Sequence, residues 1–296
     1  MKILLFGKNG QVGWELNRTL LPLGQVVALN RKSADLSDPE SLRNIVREIK
    51  PDVIVNAAAY TAVDLAEKEE ELSITINALS PGVLAEEAKT LNALLVHYST
   101  DYVFDGAKMS PYLEGDTTAP INAYGRSKLA GEEAIRASDC DHLILRTSWV
   151  YSVRGHNFLR SILRLASERE ELSIVNDQLG SPTWARLIAE TTSHILRASH
   201  DERTAGRFVS DLYNLTSAGS TSWFGFSQKI IELARHTDKS LQLRVKKLNP
   251  IPTSDYPTPA SRPMRTVLST EKLSIKFNLK MPTWDESLRL CIEDLS

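Results

Sequence analysis

Lys2-Ile3-Leu4-Leu5-Phe6 runs directly into Gly7-Lys8-Asn9-Gly10-Gln11-Val12-Gly13, and the reading of these twelve residues decides the fold. A continuous apolar run that stops at glycine fits a strand buried on both faces. Beyond it, Val12, Leu16 and Leu20 recur at i, i+4 and i+8, one face of a helix over 11–21. The glycines therefore sit at a strand-to-helix turn. Glycine lets the backbone bend sharply and approach a pyrophosphate, while the helix offers unpaired N–H groups and a positive dipole end. This predicts a nucleotide site at Gly7, Gly10, Gln11, Val12 and Gly13, with a merely structural turn as the alternative.

Working outward, the same alternation continues. A strand over 26–29 precedes a helix with Asp38 as N-cap, Pro39 in its first position and Leu42, Ile45, Val46 and Ile49 as its buried stripe. Further strands are predicted over 53–59, 94–99 and 142–147, with helices over 74–89 and 123–137. Strands and helices alternating at this spacing mean a doubly wound, Rossmann-type α/β fold with a parallel sheet. Such sheets bind ligands at the carboxyl ends of their strands. After Val150 the pattern loosens into helices over 157–169, 185–197 and 226–236, an apolar stretch over 172–175 and a strand over 212–216. The expectation is an NAD(P)-binding domain over 1–150, with a returning segment near 208–217, and a smaller α/β substrate domain over 151–296. Residues 250–263, rich in proline, read as a rigid loop, and Glu67-Lys68-Glu69-Glu70-Glu71 as a solvated helix face.

Composition narrows the class. With 296 residues, 42% hydrophobic and 24% charged, the chain is long enough to bury a sizeable core. A formal charge of −2 argues against nucleic acid as a partner. Cys140 and Cys291 stand far apart, outside any metal or disulfide pattern, and read as small apolar residues. No apolar stretch approaches the ~18 residues of a membrane span, so a cytoplasmic protein is expected.

The strand ends carry the candidate chemistry. An acidic residue that would bind the ribose of NAD is missing after Leu29; the sequence there is Asn30-Arg31-Lys32-Ser33. Arg31, Lys32 and Ser33 favour the 2′-phosphate of NADPH, with NADH the other candidate and surface charge the plain reading. Asp35 and Leu36 lie within reach of an adenine. Small residues Ala57, Ala58 and Ala59, followed by Tyr60, let backbone approach the ribose and pyrophosphate. Tyr98-Ser99-Thr100-Asp101 closes one strand, and Tyr124 and Lys128, four apart, share one helix face. A nearby ammonium favours tyrosinate, so the pair can deliver a proton near neutral pH.

On these motifs the chain resembles the dTDP-4-dehydrorhamnose reductase family of extended short-chain dehydrogenase/reductases. The resemblance continues through Arg146-Thr147-Ser148-Trp149-Val150-Tyr151, Asn176-Asp177-Gln178-Leu179-Gly180-Ser181-Pro182-Thr183 and Tyr256-Pro257-Thr258-Pro259-Ala260-Ser261-Arg262-Pro263. It implies that Tyr124 is the general acid, that Lys128 lowers its pKa and holds the nicotinamide ribose, and that Thr100 bonds the reacting carbonyl. Asp101 and Trp149 would face the sugar, and Arg262 either the diphosphate or solvent. The implied reaction is hydride transfer from NADPH or NADH to C4 of dTDP-4-dehydro-L-rhamnose. Related dehydratases place glutamate where Tyr102 stands here, and epimerising reductases add a Cys/His pair that neither cysteine matches. A reductase of another nucleotide sugar and a nucleotide-binding regulatory subunit, resembling that of methionine adenosyltransferase, are the alternatives. Similar reductases are often homodimers and some use Mg²⁺. No motif here locates a metal, and Glu15 and Glu190 are surface carboxylates whose simpler reading is solvent exposure.

Overall fold

The computed structural model describes residues 1–237 and 242–295. β1 (Lys2–Phe6), α1 (Gln11–Thr19), β2 (Gln25–Leu29), α2 (Pro39–Ile49) and β3 (Val53–Asn56) follow one another in the alternating order. Then come β4 (Leu94–Thr100), the helix Ala123–Ala137 and β5 (His142–Thr147). Asp211–Asn214, far along the chain, pairs with β5. All six strands are parallel, in the spatial order β2, β1, β3, β4, β5 and Asp211–Asn214. Strand order turns back between β1 and β3, which opens a crevice at their carboxyl ends.

Both faces of this sheet are covered, which is why its strands read as unbroken apolar runs. Ile3 and Leu5 pack with Leu16 of α1, with Leu20 just past its end, and with Ile188 and Leu196 of the helix Ala185–Thr204. Leu4 and Phe6 face the other way, toward Leu42 and Val46 of α2 and Leu84 and Ala88 of the helix Ser80–Leu91. Asp38 caps α2 as expected, its Oδ1 accepting from the Ser41 amide at 3.1 Å. A separate core lies in the second half, where Leu159, Ile162, Phe226 and Leu288 meet beneath the parallel pair Glu171–Val175 and Lys247–Ile251.

The structure differs from the sequence reading in five places. β3 stops at Asn56 because the Asn56 side chain turns back to accept from the Ala58 amide at 3.2 Å. The helix predicted over 74–89 is longer, Glu70–Ile74 and Ser80–Leu91 joined by a π turn at Thr75–Leu79. The charged run is a junction between two short helices. Glu67 accepts from the Ala123 amide at 2.8 Å, Glu69 from the Tyr60 hydroxyl at 2.7 Å, and Glu70 pairs with Arg126 at 2.8 Å. The proline-rich stretch is only partly loop, since Pro250 sits in the edge strand Lys247–Ile251. Two helices, Glu271–Phe277 and Trp284–Glu293, were not anticipated. The second carries a legible start signal, the capping box of Thr283 and Glu286.

Candidate active site

A cavity of about 670 Å³ opens at the crevice, and its wall contains every cofactor residue predicted from sequence except Gly13, Lys32 and Ser33. Gly7 has φ +84, and a Cβ there would lie 2.9 Å from the Ala57–Ala58 backbone. Gly13 acts from beneath: its Cβ would lie 2.1 Å from the Gly7 carbonyl oxygen, so its bareness lets α1 close on the turn. No side chain caps the N-terminus of α1, which leaves its first amides free for an anion. A strap from the second half crosses this end. Asn157 Nδ2 donates to Gln11 Oε1 at 2.8 Å, Arg154 covers the Trp14 ring at 3.8 Å, and Gly155 and His156 line the cavity.

At the far end of the crevice, Ser99 and Thr147 line the same cavity with buried hydroxyls that find no partner among the described residues. Leaving such groups unpaired costs about 1–3 kcal/mol each, so they point to a ligand that pairs them. An extended anionic ligand with polar groups at its other end fits this cradle. At the β2 end, Arg31 is held by Asp35 at 3.2 Å, and the Ser37 amide keeps the Asp35 carboxyl below its ordinary range. Lys32 is exposed and lies outside the cavity wall, and Ser33 is occupied with Asn30.

Tyr124 and Lys128 stand in the first turns of the helix Ala123–Ala137, whose start is fixed from several sides. Asn122 Oδ1 accepts from the Gly125 amide at 2.8 Å, and a Cβ on Gly125 would lie 2.2 Å from the Tyr102 carbonyl. In the π turn, Asn77 holds the Tyr60 amide at 2.9 Å and Ser127 Oγ at 3.0 Å, tying the 57–60 loop to this helix. Below, the buried pair of Arg146 and Glu132 at 2.6 Å locks the helix to β5. Burial pushes the Tyr124 phenol up to about 12, against a downward pull from the Thr100 hydroxyl. Lys128 is only 1% exposed, and burial pulls its amine down to about 8. Its Nζ donates to the Tyr98 carbonyl at 2.6 Å and lies 3.1 Å from His97 Nε2.

The remaining predicted residues gather beyond Thr100. Burial raises the Asp101 carboxyl to about 6, opposed by hydrogen bonds from Thr266, Ser148 and Thr100. Trp149 stands at φ +45, strained for a side-chain-bearing residue, and stacks on Trp223 with centroids 3.4 Å apart. Gly180 makes room for it, since a Cβ there would lie 2.5 Å from the indole. Arg262 is mostly buried and paired with Asp64 at 2.9 Å, which corrects the solvent reading. Asp64 also accepts from the Ala260 amide at 3.1 Å, fastening the 260–262 loop to the first half.

Sequence reasoning missed Asp64, Asn77, His97 and Trp223. His97 alone left a signal, a polar residue inside a strand otherwise buried on both faces. Among the described residues no group of three or more His, Cys, Asp or Glu side chains converges. Glu15 is 3% exposed rather than solvated and faces Arg186 at 3.4 Å, while Glu190 is exposed. Both cysteines are free and buried. No described helix is long and apolar enough to cross a membrane.

Comparison with known proteins bears on the whole chain. The family described as RmlD substrate binding domain matches residues 1–296. A dTDP-4-dehydrorhamnose reductase of Burkholderia thailandensis is 54% identical, covering 100% of this chain and 99% of the relative. One from Escherichia coli K12 is 47% identical over 100% of this chain and 98% of its own length. The solved dTDP-4-dehydrorhamnose reductase of Bacillus anthracis, in complex with NADP, superposes with a TM-score of 0.87 at 34% identity, covering 99% of each chain. Since the likeness extends through both the glycine turn and the aromatic stack, the chain belongs to the dTDP-4-dehydrorhamnose reductase family.

Proposed function

We propose that the protein reduces the C4 keto group of dTDP-4-dehydro-L-rhamnose to give dTDP-L-rhamnose. The observation that carries this reading is the meeting of Tyr124 and Lys128 with the glycine turn in one cavity, beside Thr100. A nicotinamide dinucleotide bound there supplies the hydride, and Arg31 beside Asn30 supports NADPH over NADH. The first amides of α1 and the bare backbone at Gly7 and Ala57–Ala59 would hold its pyrophosphate, and Lys128 its nicotinamide ribose. Residues 1–150 with the returning strand form the cofactor part in this reading, and most of 151–296 the sugar-nucleotide part.

Tyr124 is suited to act as the acid. Burial keeps its phenol protonated at neutral pH, which is the form needed to give a proton to the oxygen that gains charge as C4 is reduced. The Thr100 hydroxyl, beside it, orients the same oxygen. Asp101 and Trp149 bound the sugar, and Arg262, positioned by Asp64, serves the diphosphate. Tyr102 occupies the place of the dehydratase glutamate, so no carboxylate is offered there for elimination.

Tyr124→Phe is expected to lower kcat by roughly 10²–10⁴, the usual worth of general acid–base catalysis. A variant within a few-fold of wild type on authentic substrate removes Tyr124 from this role. A panel of dTDP-, UDP- and GDP-4-keto sugars, followed by NADPH oxidation, tests the substrate; a faster rate on a UDP or GDP sugar overturns that part of the reading.

A further inference from the structure

His97 is buried in the middle of β4, and three groups fix its chemistry. Its Nδ1 faces Asn56 Nδ2 at 3.2 Å, and its Nε2 faces Lys128 Nζ at 3.1 Å. The Asn56 amide is oriented in turn, because its Oδ1 accepts from the Ala58 amide at 3.2 Å. With oxygen toward Ala58 and nitrogen toward the imidazole, Asn56 donates and Nδ1 must accept. A neutral imidazole then carries its single proton on Nε2. Burial holds His97 far below its ordinary range, so the ring is neutral. Nε2–H consequently points at Lys128 Nζ, which can receive it only through the lone pair of an uncharged amine. The other charged group facing Lys128 from its own helix is Glu132, already bound by Arg146 of β5; β3 contributes the uncharged Asn56.

We propose that His97, oriented by Asn56, is a positioning residue that holds Lys128 as a neutral amine in the cofactor-free protein in mildly alkaline solution, and that cofactor entry there makes Lys128 take up a proton from solvent. The switch runs through Ala58, which lines the cavity. A ligand oxygen that accepts from the Ala58 amide releases Asn56 Oδ1. The amide can then turn its oxygen to Nδ1, the ring proton moves from Nε2 to Nδ1, and Nε2 becomes an acceptor. An ammonium with three donors now fits where only an amine fitted before. One proton enters from water, the ring keeps the proton it had, and no other bond changes. In mildly alkaline solution Lys128 thereby becomes charged only when the cleft is filled.

The proposal rests on the reductase reading for its ligand and is tested by binding rather than turnover. NADP⁺ is titrated calorimetrically into the full chain near pH 9 in two buffers of different ionisation enthalpy. Wild type is expected to take up about one proton per site. His97→Phe removes the ring nitrogen that turns acceptor, so the buried Lys128 stays an amine with or without ligand, and the variant should bind with the uptake lost. His97→Gln offers an amide N–H again and should restore most of it. If His97→Phe does not fold, Asn56→Ala makes the same test, because it leaves the ring free to choose its tautomer. Binding by wild type without proton uptake, or full uptake by both His97→Phe and Asn56→Ala, overturns the proposal. Failure of wild type to bind NADP⁺ at all overturns the reductase reading, and the proposal with it.

Discussion

On the side of the cleft formed by the glycine turn, the wall is drawn from short stretches close in sequence: Gly7 with Asn9–Val12, Asn30 and Arg31 with Ala34–Leu36, and Ala57–Tyr60. Across it, around Trp149, every important contact joins residues far apart in the chain. Trp149 needs Trp223 and Gly180, Arg262 needs Asp64, and Asp101 needs Ser148 and Thr266. The first side owes its shape to where a Cβ is forbidden, the second to which large side chains happen to meet. A substitution on the first side should therefore fail by steric exclusion, and one on the second by displacing a neighbour. That difference can be broken experimentally.

Among substitutions that compare the two sides, the largest effect should come from Gly13→Ala. Its Cβ would sit 2.1 Å from the Gly7 carbonyl oxygen, which is backbone and cannot rotate away. Overpacking of this kind costs about 3 kcal/mol, or roughly 100-fold in affinity if it is spent on the cofactor-binding conformation. NADPH affinity measured by fluorescence titration should fall by that order, with the melting temperature reduced. Binding within a few-fold of wild type would show that the turn is not limited by backbone approach.

Gly180→Ala tests the other side and should do less. Its Cβ would lie 2.5 Å from the Trp149 indole, but that ring is a side chain stacked on Trp223 and can slide. The expected result is a rise of about tenfold in KM for the sugar nucleotide, within the usual 1–3 kcal/mol of a small overpacking, and an unchanged Kd for NADPH. Equal losses for both ligands would erase the distinction between the two sides.

The same division explains what was legible. Strand β1, the turn and α1 could be read from residues 2–20 alone, because glycine spacing and apolar runs are local properties. Tyr124, Lys128 and Thr100 could be placed as well, since helix spacing and strand ends are local too. Asp64 could not, because nothing near it in sequence shows that its partner lies almost two hundred residues away. Nor could the role of Glu67: a charged run looks like a solvated face until the Ala123 amide arrives to be capped. Asn77 was hidden by the π turn that aims it, which no periodicity rule anticipates.

The smallest effect is expected at Arg31, where local reading was most definite and the structure most equivocal. Its side chain is 77% exposed and already paired with Asp35 at 3.2 Å, so an incoming 2′-phosphate must compete with a carboxylate. An exposed ion pair of this sort is worth at most about 1 kcal/mol. Arg31→Ala should thus lower kcat/KM for NADPH by about fivefold while leaving NADH nearly unchanged. Wild type should use NADPH at least as well as NADH. An equal fall with both cofactors would mean that Arg31 serves only its bond to Asp35. A strong wild-type preference for NADH would instead assign the ribose to Asp35, the carboxylate that the Ser37 amide keeps ionised.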